Sequence, residues 1–357
     1  MFDSIPEQGE AKRLLAAALA DGPAHAYLFH GPAGVGKQAT ALAFASELLS
    51  GDPRVGRRTH PDLYVLEPLG DQIRIDAVRE MRRDLHMRPF EADRRIYLLF
   101  GAHLLNDEAA DALLKDLEEP PSYSVIVLVA DELGSLPETV RSRCQPIPFR
   151  RLSERTVREA IVAQAPELPA DEATAIARVA AGRLDRAALL LDDAAAKRRI
   201  ERLRLARSTY LAPEFDAAAA AEIVVAGSRA RAKQAREAAE GGLEGLELTE
   251  RETEQRLRRA ARGAEREELL AALEEIAAWY RDLVAFAAGA ETAVHCDHTD
   301  ELHEDASLER LAGAEQAAEL AREAWRNFAE FNVNAPLALE ALFVRLRRSF
   351  AVARVAV

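Results

Sequence analysis

Short apolar runs alternate with amphipathic segments over residues 26–130, and this alternation is the strongest pattern in the chain. The apolar runs are predicted strands, at residues 26–30, 62–66, 96–100 and 125–130. The segments between them carry apolar side chains at helical spacing and are predicted helices, at residues 38–49, 76–86 and 106–119. Strands that alternate with helices favour a parallel sheet covered on both faces. The sequence therefore predicts an α/β domain over residues 1–151.

Strand signals largely vanish after about Arg151, where alanine, leucine and charged residues recur at helical spacing. A small helical unit of lid size is predicted over residues 152–195, with helices at 153–164, 171–181 and 186–191. Residues 196–357 are predicted to form a larger helical domain. The predicted fold class is thus α/β plus all-α.

Two helices of the last domain have clear starting signals. One is long and charged and begins at Thr249; the other begins after Asn334, a favoured capping residue. Glu and Arg are interspersed in the long helix as far as Leu269. A solvent-exposed helix with ion pairs is therefore favoured over an arm that binds nucleic acid.

A glycine-rich segment follows the first predicted strand and opens the first of these α/β helices. It reads Gly31-Pro-Ala-Gly-Val-Gly-Lys37, in the strand, loop and helix context that a phosphate-binding loop requires. Glycines allow successive backbone N–H groups to turn toward one anion, and Lys37 would neutralise phosphate charge. The predicted nucleotide-binding residues are Gly31, Gly34, Val35, Gly36, Lys37 and Gln38. The bound group would be ATP or ADP, or the loop is a retained turn that binds nothing.

Catalytic groups are absent from several expected positions. Gln38 stands where a serine or threonine hydroxyl would hold magnesium. Motor NTPases also need an acid at the end of the neighbouring strand, but the strand that begins at Ile96 ends in Phe100-Gly101, and Ala130 ends the next one. His103 is interpreted as a packed or hydrogen-bonded residue at a strand end. Hydrolysis by this chain is therefore not expected.

Composition narrows the class of protein. The 357 residues are 49% hydrophobic and 30% charged, enough for two or three compact domains. No secretory leader is visible, the apolar stretch at residues 277–290 is broken by charged residues, and the two cysteines suit a reducing compartment. We therefore expect a cytoplasmic protein with no membrane span. The net charge of −13 argues against a protein that binds nucleic acid over its whole surface.

Arg143 is a candidate to act on a neighbouring molecule and not on this chain's own phosphate loop. A capping box at Ser135 predicts a short helix that leads to the segment Arg141-Ser-Arg-Cys144. An arginine displayed there could stabilise charge on a phosphoryl group of a neighbouring molecule. From spacing alone, an ordinary surface arginine is the simpler interpretation.

Several segments together resemble one known family, the delta-prime subunits of bacterial DNA polymerase III clamp loaders, which are AAA+ proteins. The segments are residues 24–29 (AHAYLF), 60–63 (HPDL), 75–79 (IDAVR), 106–121 (NDEAADALLKDLEEPP), 141–144 (RSRC) and 332–340 (NVNAPLALE). All but the last lie in the first predicted domain, and residues 192–275 match nothing recognisable.

The resemblance implies an AAA+ core, a lid and a C-terminal helical collar that packs into a ring of five subunits. It implies motor and delta subunits as partners, with the sliding clamp and, through the complex, primed DNA. It also implies that Arg143 enters the ATP site of the adjacent motor subunit. The alternative is a catalytically active AAA+ ATPase, either a motor subunit or another remodelling enzyme.

One departure from the family concerns metal. Related subunits insert a four-cysteine zinc module where this chain has residues 50–59, which contain no cysteine. Zinc is therefore not expected there. A second group of metal-capable side chains, at His295, Cys296, Asp297, His298 and His303, fits no common ligand spacing.

Overall fold

The computed structural model describes residues 2–68, 72–131, 133, 136–243, 250–290, 293–331 and 333–352. The chain forms two compact units. The first consists of Met1–Ala160 with Ala181–Arg186, and the second of Ile161–Ala180 with Ala187–Val357. The boundaries of the predicted lid, residues 152–195, stay a prediction.

A five-stranded parallel sheet forms the centre of the first unit. Its strands are β1 Ala26–His30, β2 Leu63–Leu66, β3 Arg95–Phe100, β4 Ser124–Ala130 and β5 Gln145–Pro148. Their order is β2-β3-β4-β1-β5, and every neighbouring pair is parallel. All residues of β3 and β4 are buried, as expected for central strands of a parallel sheet.

Helices cover both faces of this sheet. They are α1 Gly9–Asp21, α2 Lys37–Leu48, α3 Pro53–Gly56, α4 Ile75–Leu85, α5 Asp107–Glu118 and α6 Glu138–Arg141. Alternate residues of β1 enter opposite cores: Phe29 packs with Phe44 of α2, whereas Leu28 packs in the cluster that contains Leu113 of α5. The predicted α/β fold class of this part is therefore confirmed.

Three elements of the first unit were not predicted, the helices α1 and α3 and the strand β5. Strand β5 contains Pro146 and Pro148, and proline is compatible only with the edge of a sheet. The strand does lie at the edge, beside β1. The four predicted strands and the three helices between them lie within about two residues of their expected positions.

The later part of the chain is helical. Its helices are α7 Glu154–Gln164, α8 Ala170–Ala180, α9 Leu184–Leu190, α10 Asp193–Leu211, α11 Ala217–Leu243, α12 Glu250–Ala287, α13 Thr299–Asp305, α14 Leu308–Glu330 and α15 Ala335–Val352. Within the ranges that the structure covers, no strand follows Pro148 and no helix has the length and hydropathy to cross a membrane. The all-α part of the predicted fold class is also confirmed.

The sequence predicts starting signals for α6, α12 and α15, and their outcomes differ. The Asn334 side chain accepts a hydrogen bond from the Leu337 N–H at 3.3 Å, so the predicted cap of α15 is confirmed. Ser135, Thr249 and Asn332 lie outside the described residues. The capping box predicted at Ser135 and the start at Thr249 therefore have no structural description.

The long charged helix α12 is only partly the solvent-exposed helix that was expected. Glu254 and Arg258 form the expected i,i+4 ion pair at 2.7 Å. Further along, Glu268 is only 4% exposed and accepts charged hydrogen bonds from Arg198, at 2.7 Å, and from Arg202. This end of the charged segment is buried, because arginines of α10 supply compensating charge.

The His60-Pro61-Asp62 segment has a structural role. The Asp62 carboxylate is fully buried and accepts hydrogen bonds from the N–H groups of Phe90, Glu91 and Ala92, at 2.6, 2.8 and 2.9 Å. Burial alone would raise the pKa of Asp62, but these three N–H groups hold it below its ordinary value. Asp62 thus stabilises the turn that leads into β3.

We predict that Asp62→Ala lowers the free energy of unfolding by about 3 kcal/mol or more, because three buried donors lose their acceptor. Urea unfolding followed by circular dichroism measures this loss. Asp111, exposed on α5, provides the control, and Asp111→Ala should change stability by no more than about 0.5 kcal/mol. The Asp62 contribution should be complete above its ordinary pKa of 3.8 and decline as the pH falls toward the lower folded pKa. Equal stability of the two variants would contradict this role.

Candidate functional site

The predicted phosphate loop joins the end of β1 to the start of α2. Gly31, Gly34 and Gly36 all have positive φ, at 138°, 68° and 95°. A side chain at Gly31 would place its Cβ 2.2 Å from the Phe149 carbonyl oxygen, so the loop packs tightly against the chain that follows β5. Val35 is buried beneath the loop. The backbone therefore forms the strand, loop and helix arrangement predicted from the sequence.

The Lys37 ammonium is almost entirely enclosed, with 3% of its side chain exposed. It donates to the Gly31 carbonyl oxygen at 2.7 Å and to the Pro32 carbonyl oxygen, and it lies 2.7 Å from a carboxylate oxygen of Asp131. Burial lowers the pKa of Lys37, and Asp131 opposes that shift.

Asp131 corrects the expectation about the strand next to the loop. The strand that pairs with β1 is β4, not β3, and it ends at Ala130 immediately before this carboxylate. The neighbouring strand therefore does lead to an acid, one residue beyond the position considered from the sequence. The sequence carries no local signal for this placement, because the order of parallel strands depends on how the helices between them cross over.

At the end of β3, Phe100 and Gly101 offer no carboxylate, as the sequence predicts. Phe100 is buried, and Gly101 adopts a φ of 68°, where a Cβ would lie 3.1 Å from the Cγ of Pro68. The Nδ1 atom of His103 accepts a hydrogen bond from the Asp131 N–H at 3.1 Å, which confirms the packed, hydrogen-bonded interpretation of this histidine. Gln38, on the first turn of α2, is exposed.

A second carboxylate reaches the loop from a distant part of the sequence. Asp185 lies against Gly34, so closely that a Cβ on that glycine would be 1.7 Å from a carboxylate oxygen. The Leu184 N–H donates to the Gly34 carbonyl oxygen at 2.8 Å. Leu184 and Asp185 belong to the short segment 181–186 of the first unit. The sequence predicts this segment only as the connection between the helices at 171–181 and 186–191, and it gives no signal for the contact with the loop.

Arg143 lies just after the short helix α6. Its Nε donates to Glu118 at 2.8 Å and its Nη1 donates to the Thr139 carbonyl oxygen at 2.7 Å, and the side chain remains 32% exposed. These partners belong to α5 and α6 and not to the phosphate loop. The adjacent Cys144 is buried, which raises the pKa of its thiol to about 12. Cys144 is therefore a packing residue, and Arg143 is displayed beside it.

The metal-capable cluster of the second unit consists largely of ion pairs. Buried His295 contacts Asp282 at 2.9 Å, Asp297 pairs with Arg199, and His298 lies 3.2 Å from Glu301. Across the part of the chain that the structure describes, no group of three or more His, Cys, Asp or Glu side chains is arranged to hold a metal ion.

Comparison with known proteins gives a consistent family for the first part of the chain. Residues 7–153 match the family described as DNA polymerase III, delta subunit. The DNA polymerase III subunit delta-prime of Pseudomonas aeruginosa is 38% identical over 136 residues, which are 34% of this chain and 42% of that protein. Its Bacillus subtilis counterpart is 30% identical over 152 residues, 39% of this chain and 46% of that protein. The chain thus matches less than half the length of either relative.

The match extends further, at lower coverage of the relative, to the DNA polymerase III subunit tau of Bacillus subtilis. That protein is 30% identical over 208 residues, which are 54% of this chain and 37% of the relative. Among solved structures, a gamma subunit-related protein of Thermotoga maritima aligns with 96% of this chain and 99% of its own, at a TM-score of 0.43 and 15% identity. Residues 7–153 of the chain are thus similar to the delta-prime subunits of bacterial DNA polymerase III.

Proposed function

We propose that this chain is a delta-prime subunit of a bacterial DNA polymerase III clamp loader, located in the cytoplasm. In this proposal it assembles with motor and delta subunits into a ring of five that loads the sliding clamp on primed DNA. The delta-prime and tau likeness of the first unit supports the proposal. Residues 196–357 would form the collar, and the all-helical second unit is compatible with that role.

In the same proposal the chain does not hydrolyse ATP. The observation that carries this part is the end of β3, where buried Phe100 and Gly101 offer no carboxylate to position magnesium or a water molecule. Exposed Gln38 adds to it, since an amide replaces the hydroxyl that would bind magnesium between the phosphates. The chain's contribution would then be structural and regulatory.

Arg143 would act on a neighbour's nucleotide. Its guanidinium is partly exposed and already holds an anionic oxygen, that of Glu118. A phosphoryl oxygen can replace a carboxylate oxygen in the same planar, charge-assisted geometry. Exposed ion pairs contribute about 0–1 kcal/mol, so an assembled ring could exchange Glu118 for an ATP phosphate at small cost.

A second candidate function, an active AAA+ ATPase, is favoured by one observation. Asp131 follows the strand beside the phosphate loop and lies 2.7 Å from Lys37, where an acid could help to hold a magnesium ion. Its carboxylate is, however, already paired with that lysine. The two functions differ in whether the isolated chain turns over ATP.

We predict that the purified chain hydrolyses ATP no faster than its Lys37→Ala variant, because β3 supplies no catalytic acid. A coupled assay for phosphate release, with magnesium and saturating ATP, measures both rates. Circular dichroism must first show that the variant folds. Turnover that Lys37→Ala and Asp131→Asn both abolish would establish the ATPase alternative.

For the assembled loader we predict that Arg143→Ala leaves the ring intact and lowers DNA-stimulated hydrolysis at the one motor site beside this chain by about 10³-fold or more, the effect of losing an arginine that stabilises phosphoryl transfer. Arg150→Ala is the control, since this side chain is 83% exposed and pairs with Glu10 at 3.4 Å. Assembly is checked by size exclusion and turnover by phosphate release. Normal hydrolysis by the Arg143→Ala ring would refute the role in trans.

A further inference from the structure

Two carboxylates of this chain face its own phosphate loop from different parts of the sequence. Asp131 follows β4, and Asp185 belongs to the segment 181–186, more than fifty residues later. Each makes a defined contact, one with the lysine of the loop and the other with Gly34. The loop that could cradle a phosphate is thus lined by the chain's own negative charges.

The contacts of Lys37 show what a phosphate would meet. A lysine ammonium has three N–H donors and no acceptor. Here the oxygens of Gly31, Pro32 and Asp131 account for all three, inside a nearly closed environment. A nucleotide phosphate can reach this ammonium only by replacing one of those oxygens.

Asp185 is fixed in place and not merely close to the loop. Its carboxylate accepts from Arg183 Nη2 at 2.9 Å and from the Arg186 N–H at 2.8 Å. The neighbouring Leu184 N–H ties the segment to the Gly34 carbonyl oxygen. Burial alone would raise the pKa of Asp185, but Arg183 and the Arg186 N–H lower it, so the group is anionic at neutral pH.

We propose that Asp131 and Asp185 act as internal anions that occupy the phosphate loop and keep adenine nucleotides from binding it tightly. Asp131 takes the lysine charge that a β- or γ-phosphate would use, and Asp185 places a like charge against Gly34, over the backbone of the cradle. Phosphates repel both groups at short range. The two carboxylates would lower the nucleotide affinity of this chain whether or not Arg143 acts on a neighbour.

The test is a titration of the full chain with a fluorescent ADP analogue, with and without magnesium. The titration compares the wild type with Asp131→Asn, Asp185→Asn and the double variant. Asparagine keeps the shape of each side chain and removes its negative charge. We expect each single variant to bind about 10-fold more tightly than the wild type, and the double variant more tightly than either.

Three controls define the site. Asp111→Asn removes one negative charge from exposed α5 and should leave the affinity unchanged. Adding Lys37→Ala to the double variant should abolish the gain. Inorganic pyrophosphate should displace the analogue from the double variant, because the gain arises at the phosphates and not at the base. Thermal unfolding verifies that each variant is folded, and Asp185→Ala replaces Asp185→Asn if the latter is not.

The proposal is overturned if the double variant binds no more tightly than the wild type. It is also overturned if Asp111→Asn gives the same gain, since net charge alone would then explain it. Tight binding by the wild type with no response to either substitution has the same meaning. None of these results bears on Arg143, whose role is decided by hydrolysis in the assembled ring.

Discussion

The conformation of the phosphate loop in the first unit depends on the ion pair between Lys37 and Asp131. It joins the phosphate loop, which follows β1, to the end of the neighbouring strand β4 across a distance of 2.7 Å. Removing either partner would leave a largely enclosed charge or a free acid beside the glycines, and a buried charge without a partner is costly. The loop is therefore held by the chain's own charges in the form described.

The phosphate loop can keep its conformation even where the residues needed for hydrolysis are absent. The loop requires glycine at Gly31, where a Cβ would overlap the backbone oxygen of Phe149, and at Gly34, where φ is 68°. Those packing requirements persist without any catalytic carboxylate on β3. On this account the sheet and its loop serve as a scaffold, and the exposed guanidinium of Arg143 is the group available to another molecule.

Local patterns were sufficient for most elements of the first unit but not for the site. Apolar runs identified β1 to β4, whereas β5 was missed because its two prolines hide an edge strand. Asp131 was missed because strand order is not encoded in any local pattern, and Asp185 because it meets Gly34 across about 150 residues of sequence. Buried Glu268 looked solvent-exposed for a similar reason, since its partners Arg198 and Arg202 lie on another helix.

In the proposed function, this chain's own phosphate loop is not a reaction site, whereas the loops of its motor partners are. The most direct measurement is ATP hydrolysis by a reconstituted loader in which only this chain carries Lys37→Ala, after size exclusion has shown a complete ring. We expect the wild-type rate. A rate reduced in proportion to the loss of one active subunit would contradict it.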